Sequence, residues 1–174
     1  MSAILETAAS CFSKGGFTAT TLADIGRELG LRKSIVHYYF ASKAALVHEV
    51  QSFAYGRYLD ALRQGLSSGG DGLNGLWKNL KQGEALRNLN IELWSEGRRD
   101  PELLARQNVL QDEARRLLAD YYQSEQKRSA AEADSLATLT LSVLDGLTVL
   151  ADRDGMAERA DRAFESFLAL VAKR

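Results

Sequence analysis

Proline is almost missing from this chain: Pro101 is the one example in 174 residues. Cysteine also occurs once, tryptophan twice, and aromatic residues make up 8%. Each shortage removes a class of answer. A lone Cys11 can form neither an internal disulfide nor a multi-cysteine metal site, and reads as a small core residue of the first helix. Few breakers and few β-branched residues, set against abundant Leu and Ala, exclude a sheet-based fold and point to an all-α chain. Charge of one sign is missing too: 22 Lys and Arg nearly cancel 23 Asp and Glu, for a net charge of −1. Any nucleic-acid contact must then rest on a local basic patch, not on a uniformly basic coat. No apolar run reaches the roughly 18 residues of a membrane span and no signal sequence is visible, so the expected location is cytoplasmic.

What is present is an ordinary globular composition, 45% apolar and 26% charged, in a chain long enough for one or two small domains. Ile4, Leu5, Ala8, Cys11 and Phe12 recur at helical spacing and predict a first helix over about Ser2 to Lys14. Gly15-Gly16 ends it, and Phe17 is expected to plug a small core. Thr21-Leu22-Ala23-Asp24 reads as a capping-box start, in which Thr21 accepts from a free backbone N–H and Asp24 answers it. A short helix to about Leu29 follows. Gly30 reverses the chain where φ > 0 is often needed, and a second short helix covers about Lys33 to Tyr39. Gly26 stands where the two backbones approach, with Ile25, Leu29, Leu31 and Val36 as the apolar wedge. Two helices joined this way form a helix-turn-helix, a unit that reads DNA. Of the pair Tyr39 and Phe40, Phe40 is the expected core residue.

Beyond Ser42 a long connector helix runs to about Gly65. Ser67 to Gly72 is a glycine-rich break. Helices are then predicted over Leu73 to Leu80 and over Glu84 to Gly97, the second with Leu86, Leu89, Asn90, Leu93 and Trp94 on one face. Asp100-Pro101 starts another, running to about Gln126, since Pro is tolerated where its missing N–H would be unpaired. The capping box Ser129-Ala130-Ala131-Glu132 opens the next, running to about Arg153. Asp154-Gly155 breaks it, and Ala157 to Lys173 close the chain. The last two helices carry apolar faces, Leu136, Leu139, Val143 and Leu147 on one and Phe164, Phe167 and Val171 on the other. Such faces are either protomer core or the contact of a two-fold four-helix bundle. A helix-turn-helix that must span half-sites about 34–36 Å apart favours the dimer.

Ile4-Leu5…Ala8-Ala9…Phe12…Gly16…Thr20-Thr21…Asp24-Ile25…Leu29-Gly30…Tyr39-Phe40…Ser42-Lys43…Leu46 resembles the N-terminal domain of the TetR (tetracycline-repressor-like) regulators, in order over about the first fifty residues. The later helices are similar to that family's effector-binding and dimerisation domain, with Leu144-Asp145-Gly146-Leu147 resembling a turn of its penultimate helix. The resemblance implies an all-α fold with a three-helix DNA-binding domain at 1–46 and an effector-binding and dimerisation domain at 47–174. It implies a homodimeric transcriptional regulator, usually a repressor, released from double-stranded operator DNA by a small molecule. Carried over by position, the reading helix is Lys33 to Tyr39, and Thr21 and Lys43 meet phosphates. Two positions depart from the pattern. Arg32 stands where Ser or Thr commonly caps, and His37 where Tyr is usual.

The DNA face is therefore expected to comprise Lys33, Ser34 and Tyr38 toward base edges, with Thr21, Arg27, His37, Tyr39 and Lys43 on phosphates and Arg32 beside them. Five Lys or Arg stand against four Asp or Glu in the first fifty residues, so affinity must come from placement. For a small, largely apolar effector the candidate residues are Phe53, Trp77, Asn90, Trp94, Gln107, Gln111 and Thr140. The pair Asp112 and Glu113 reads as solvated. Neither a phosphate-binding glycine loop nor a metal-ligand cluster nor a nucleophile motif appears, and the expectation is of no enzyme, no metal and no cofactor. The rival reading is a helical DNA-binding dimer, or a protein–protein adaptor, without an effector.

Overall fold

The computed structural model describes the backbone of residues 1–67, 72–81, 84–151 and 153–172, and the side chains of these except 84–88. Among them the chain is helical throughout: α1 (Ser2–Ala19), α2 (Leu22–Glu28), α3 (Lys33–Tyr39), α4 (Lys43–Leu66), α5 (Gly72–Lys81), α6 (Glu84–Gly97), α7 (Pro101–Ser124), α8 (Ala130–Ala151) and α9 (Ala157–Val171). The all-α expectation holds. Parts of that reading fall outside the described residues, namely 68–71 of the glycine-rich break, the Leu86 side chain, residue 152 near the end of α8, and Lys173.

Local chemistry sets most of the boundaries. Gly16, at φ 72° and ψ 163°, interrupts α1 where the glycine pair was expected to stop it. The Thr21 box is complete: Thr21 Oγ1 accepts from the Asp24 N–H at 3.2 Å, and the Thr21 N–H donates to Asp24 Oδ2 at 3.0 Å. Those bonds to Thr21 hold the Asp24 carboxyl below its usual range. Ser42 Oγ accepts from Ala45 N at the start of α4. Asp100 Oδ1 accepts from Glu102 N and Leu103 N at the start of α7, and Ser129 with Glu132 forms the second full box at α8.

The chain divides into two compact units, one made of 1–57 with 85–107 and the other of 58–84 with 108–174. This division differs from the contiguous one at residue 46, because α4 and α7 each contribute to both units and α6 joins the N-terminal helices. The first unit buries Ala8, Phe12, Phe17, Ile25, Val36, Phe40, Leu46 and Val50 together with Leu89, Leu93 and Leu103. Phe12 and Phe17 meet ring to ring at 4.6 Å, so Phe17 does plug this core. Cys11 is only half-buried, a correction to its expected place, because it sits at the edge of the α1 stripe.

The second unit is centred on Leu62, Leu76, Leu118, Tyr122, Leu144 and Phe164. Trp77 stacks on Phe164 at 4.9 Å and donates through Nε1 to Asp161 at 2.8 Å. Phe164, Phe167 and Val171 all turn inward here. The α9 face assigned to a dimer thus belongs first to the protomer's own core, and Leu170 remains outside at 68% exposure.

One expectation needs correcting. By length and composition α8, 22 residues with a mean hydropathy of 1.3 over its most apolar window, is apolar enough to cross a membrane. Its run in the sequence is interrupted by Ser135, Thr138, Thr140 and Ser142. All four hydroxyls bond back to carbonyls one turn upstream, which leaves the helix surface more apolar than its sequence reads. Only Ala133, Ala137, Thr140 and Leu144 of this helix are buried.

Candidate nucleic-acid interface

α2, the turn and α3 form the site. Gly30 takes φ 66°, the left-handed conformation the turn requires and one that a side chain disfavours. The Leu31 N–H donates to the Gly26 carbonyl at 2.8 Å, closing the turn onto α2. A Cβ on Gly26 would lie 3.1 Å from the Leu31 carbonyl oxygen, 3.5 Å from Val36 Cγ2 and 3.6 Å from Lys33 N. The two helices approach at Gly26, as its sequence position suggested. Ile25 and Val36 are fully buried between them, with Leu29 and Leu31 half-buried.

Val36 is the one buried residue of α3. Every other side chain of the reading helix, Lys33, Ser34, Ile35, His37, Tyr38 and Tyr39, is exposed. Tyr38 reaches 84% and meets Tyr39 edge to face at 5.4 Å. A seven-residue helix that spends one side chain on its scaffold and leaves six outward is held by the turn, with its surface free for another molecule. Arg32 precedes it in extended conformation and offers no side-chain cap, as its chemistry dictates.

The basic residues lie around this helix. Arg32 is exposed. Arg27 is exposed and pairs with Asp24 at 3.0 Å, an exposed contact of small worth that a phosphate can replace. Lys43 is half-buried at the start of α4, where its Nζ donates to the Thr18 carbonyl at 3.2 Å. Thr21 is exposed but spends its hydroxyl on the cap. All nine residues expected on the DNA face lie on or beside α2–α3, and Phe40 is buried as expected.

The seven effector candidates divide between the two units. Phe53, Asn90, Trp94 and Gln107 belong to the first unit, and Trp77, Gln111 and Thr140 to the second. Trp94 is 57% exposed, with the Arg98 guanidinium 5.9 Å from its ring. It lies about 100° around α6 from the inward Leu93, so it leaves the face the sequence assigned to it. Gln111 is exposed as well. Phe53 is half-buried beneath the Arg57 guanidinium at 5.5 Å. Trp77 and Thr140 are engaged inside their own unit, Thr140 with the Tyr122 hydroxyl at 2.7 Å. Burial there pushes the Tyr122 phenol up.

Sequence reasoning missed a polar set on α4 and α7. His48 Nε2 lies 3.0 Å from Asp100 Oδ2 and its Nδ1 3.6 Å from Glu102 Oε1. The hydrogen bond to His48 is the main reason the Asp100 carboxyl sits below its usual range. Gln51, fully buried, donates through Nε2 to the Leu103 carbonyl at 2.9 Å. The available signal was a polar residue inside the apolar stripe Val47, Val50, Ala54.

A family model described as bacterial regulatory proteins of the tetR family matches residues 4–50. Another, described as the C-terminal part of BetI-type transcriptional repressors, matches residues 78–173. No curated protein matches the chain by sequence. Among solved structures, a putative transcriptional regulator from Saccharomonospora viridis in complex with choline is 22% identical. Its TM-score is 0.80, over 97% of this chain and 94% of that one. A putative TetR-family regulator from Rhodococcus sp. is 16% identical with a TM-score of 0.80, over 98% and 97%. The ketosteroid transcriptional regulator KstR2 of Mycobacterium tuberculosis is 19% identical with a TM-score of 0.67, over 97% and 91%. At these identities the likeness speaks for the fold.

Proposed function

This chain belongs to the tetR family of bacterial regulatory proteins, DNA-binding regulators of transcription, and from that premise we propose that it is a homodimeric repressor released from operator DNA by a small organic effector. The observation that carries the reading is the outward face of α3: six side chains, Lys33 and Tyr38 among them, presented by a turn that Gly26 and Gly30 fix. Lys33, Ser34 and Tyr38 read base edges. Arg27, His37, Tyr39 and Lys43 hold phosphates, with Thr21 and Arg32 at the margins.

Dimerisation is supported by the surface of α8. Leu139 and Val149 are exposed, and Leu136, Val143 and Leu147 half-buried, on a helix whose hydroxyls are already satisfied internally. A groove of about 550 Å³, lined by Leu136, Leu139, Phe167, Leu170 and Val171 together with Arg128 and Glu132, continues this surface. A second copy covers it as a four-helix bundle. Repression is supported by the description of the matching C-terminal family model, and a small effector by the choline in the Saccharomonospora viridis relative.

The test is selection of bound duplexes from fragments of the source genome, followed by fluorescence anisotropy on the recovered sequence at several salt concentrations and sedimentation of the free protein. The expected result is a dimer that binds a pseudo-palindromic duplex, with affinity that falls as salt rises. A monomer without sequence preference at low salt would overturn the proposal.

A further inference from the structure

Among the described residues, three amide oxygens are buried in the first unit without a hydrogen-bond partner: Gln51 Oε1 on α4, Asn90 Oδ1 on α6 and Gln107 Oε1 on α7. Buried amide oxygens are nearly always paired, so three on three helices of one unit require a reason. The orientation of Gln51 is not in doubt, because the Leu103 carbonyl can only accept and so takes the Nε2 end. That leaves Oε1 aimed away with nothing to accept from. Gln107 is 3% exposed and lies one turn beyond Leu103 on α7. A Cβ on Gly97 would lie 3.1 Å from Gln107 Oε1, so glycine at 97 leaves that oxygen its place. Asn90 shares the Gly97 face of α6, two turns earlier and about 10 Å along the helix.

We propose that these amides form the polar floor of a ligand site in the first unit, and that it takes an uncharged small molecule carrying at least one O–H or N–H donor. This rests on the ligand-responsive reading above and narrows its effector class. The Gln51 oxygen is fixed as an acceptor by the bond of its amide to the Leu103 carbonyl, so its complement is a donor. The carboxylates nearby on the same helices are engaged: Asp100 with His48, Glu92 with the Phe17 N–H and Glu96 with Arg99. The three amides themselves are neutral, so a cation bound against them would find no counter-charge among them, which is costly, and a neutral donor escapes that cost.

The test compares the full-length protein with the near-isosteric Gln107→Met variant, using resorcinol and 1,3-dimethoxybenzene as probes, two molecules of one skeleton with and without donors. Removing an unpaired buried acceptor is expected to raise the midpoint of thermal unfolding of the unliganded protein by about 2–4 °C. Resorcinol is expected to raise the wild-type midpoint and its methylated twin not to, and the variant to lose that difference. A lower midpoint in unliganded Gln107→Met, which would mean the oxygen already has a partner, overturns the proposal. Equal responses of the wild type to both probes overturn it too. Operator binding is measured separately on both proteins, so failure of the regulator reading registers there and not in these midpoints.

Discussion

Replacing Gly26 by alanine adds one methyl group at the closest point between α2 and α3. Two effects oppose each other. Alanine inside a helix is favoured over glycine by about 1 kcal/mol. The new Cβ, however, stands 3.1 Å from the Leu31 carbonyl oxygen, a few tenths of an ångström inside ordinary contact. That oxygen cannot rotate away, because Leu31 is tied back to Gly26 by a 2.8 Å hydrogen bond. Crowding of this kind costs about 1–3 kcal/mol, so the net loss of stability is small, on the order of 1 kcal/mol, and the head stays folded. The crowding is relieved by moving α3 a few tenths of an ångström, and this displaces Lys33, Ser34 and Tyr38 together. Each good base contact is worth about 1–3 kcal/mol, so operator affinity is expected to fall about tenfold or more. Lys33, Arg27 and Lys43 keep their charges, so binding to a scrambled duplex is expected to change little. Anisotropy on operator and scrambled duplexes, with a urea unfolding curve alongside, measures all three quantities. Unchanged operator affinity would refute the reasoning, and so would equal losses on the two duplexes.

Other outcomes follow from particular contacts. Gly56 and Gly65 lie on the same helix with opposite surroundings: nothing within 4 Å of a Cβ at 56, the Leu76 backbone at 2.7 Å from one at 65. Gly56→Ala should stabilise by about 0.5–1 kcal/mol and Gly65→Ala destabilise by about 1–3 kcal/mol, read as urea midpoints. Lys43→Ala should reduce the slope of log affinity against log salt by about one, and an unaltered slope would refute its assignment to a phosphate. Trp77→Phe keeps the ring against Phe164 but loses the Nε1 bond to Asp161, with an expected cost of about 1 kcal/mol in unfolding. The Asp161 carboxyl is held below its usual range first by Lys81 Nζ and then by Trp77. A depressed carboxylate contributes stability that is present above the ordinary carboxylate range and is lost as pH falls through its folded value. Asp161→Asn should therefore be less stable than wild type at neutral pH and converge with it below about pH 4.

The parts of this fold written in short-range chemistry could be read directly. The Gly15-Gly16 break, the Thr21 and Ser129 boxes, Asp100 before Pro101, and the tight pair Gly26 and Gly30 each state a boundary within four residues. The exposed face of α3 was equally legible, because a helix of seven residues with one inward side chain leaves few choices. What sequence could not state is which way a long helix turns once others cover it. Trp94 was placed on the face of Leu93 and lies about 100° around the helix from it, exposed. Phe164, Phe167 and Val171 formed an apolar stripe that favoured a partner over a core, and all three are already buried within the protomer. His48 meets Asp100, and Gln51 the Leu103 carbonyl, across about fifty residues of chain, and no local pattern encodes such meetings.

The interleaving of the two units has a consequence for the order of synthesis. The reading head is written first, yet its unit includes 85–107. A growing chain that has released only α1 to the first half of α4 lacks Leu89, Leu93 and Leu103, and the Phe17 N–H has no Glu92 to meet. These N-terminal helices are thus finished only after about fifty further residues, through 107, have followed them. A graft that takes the head by cutting after residue 57 takes it half-built.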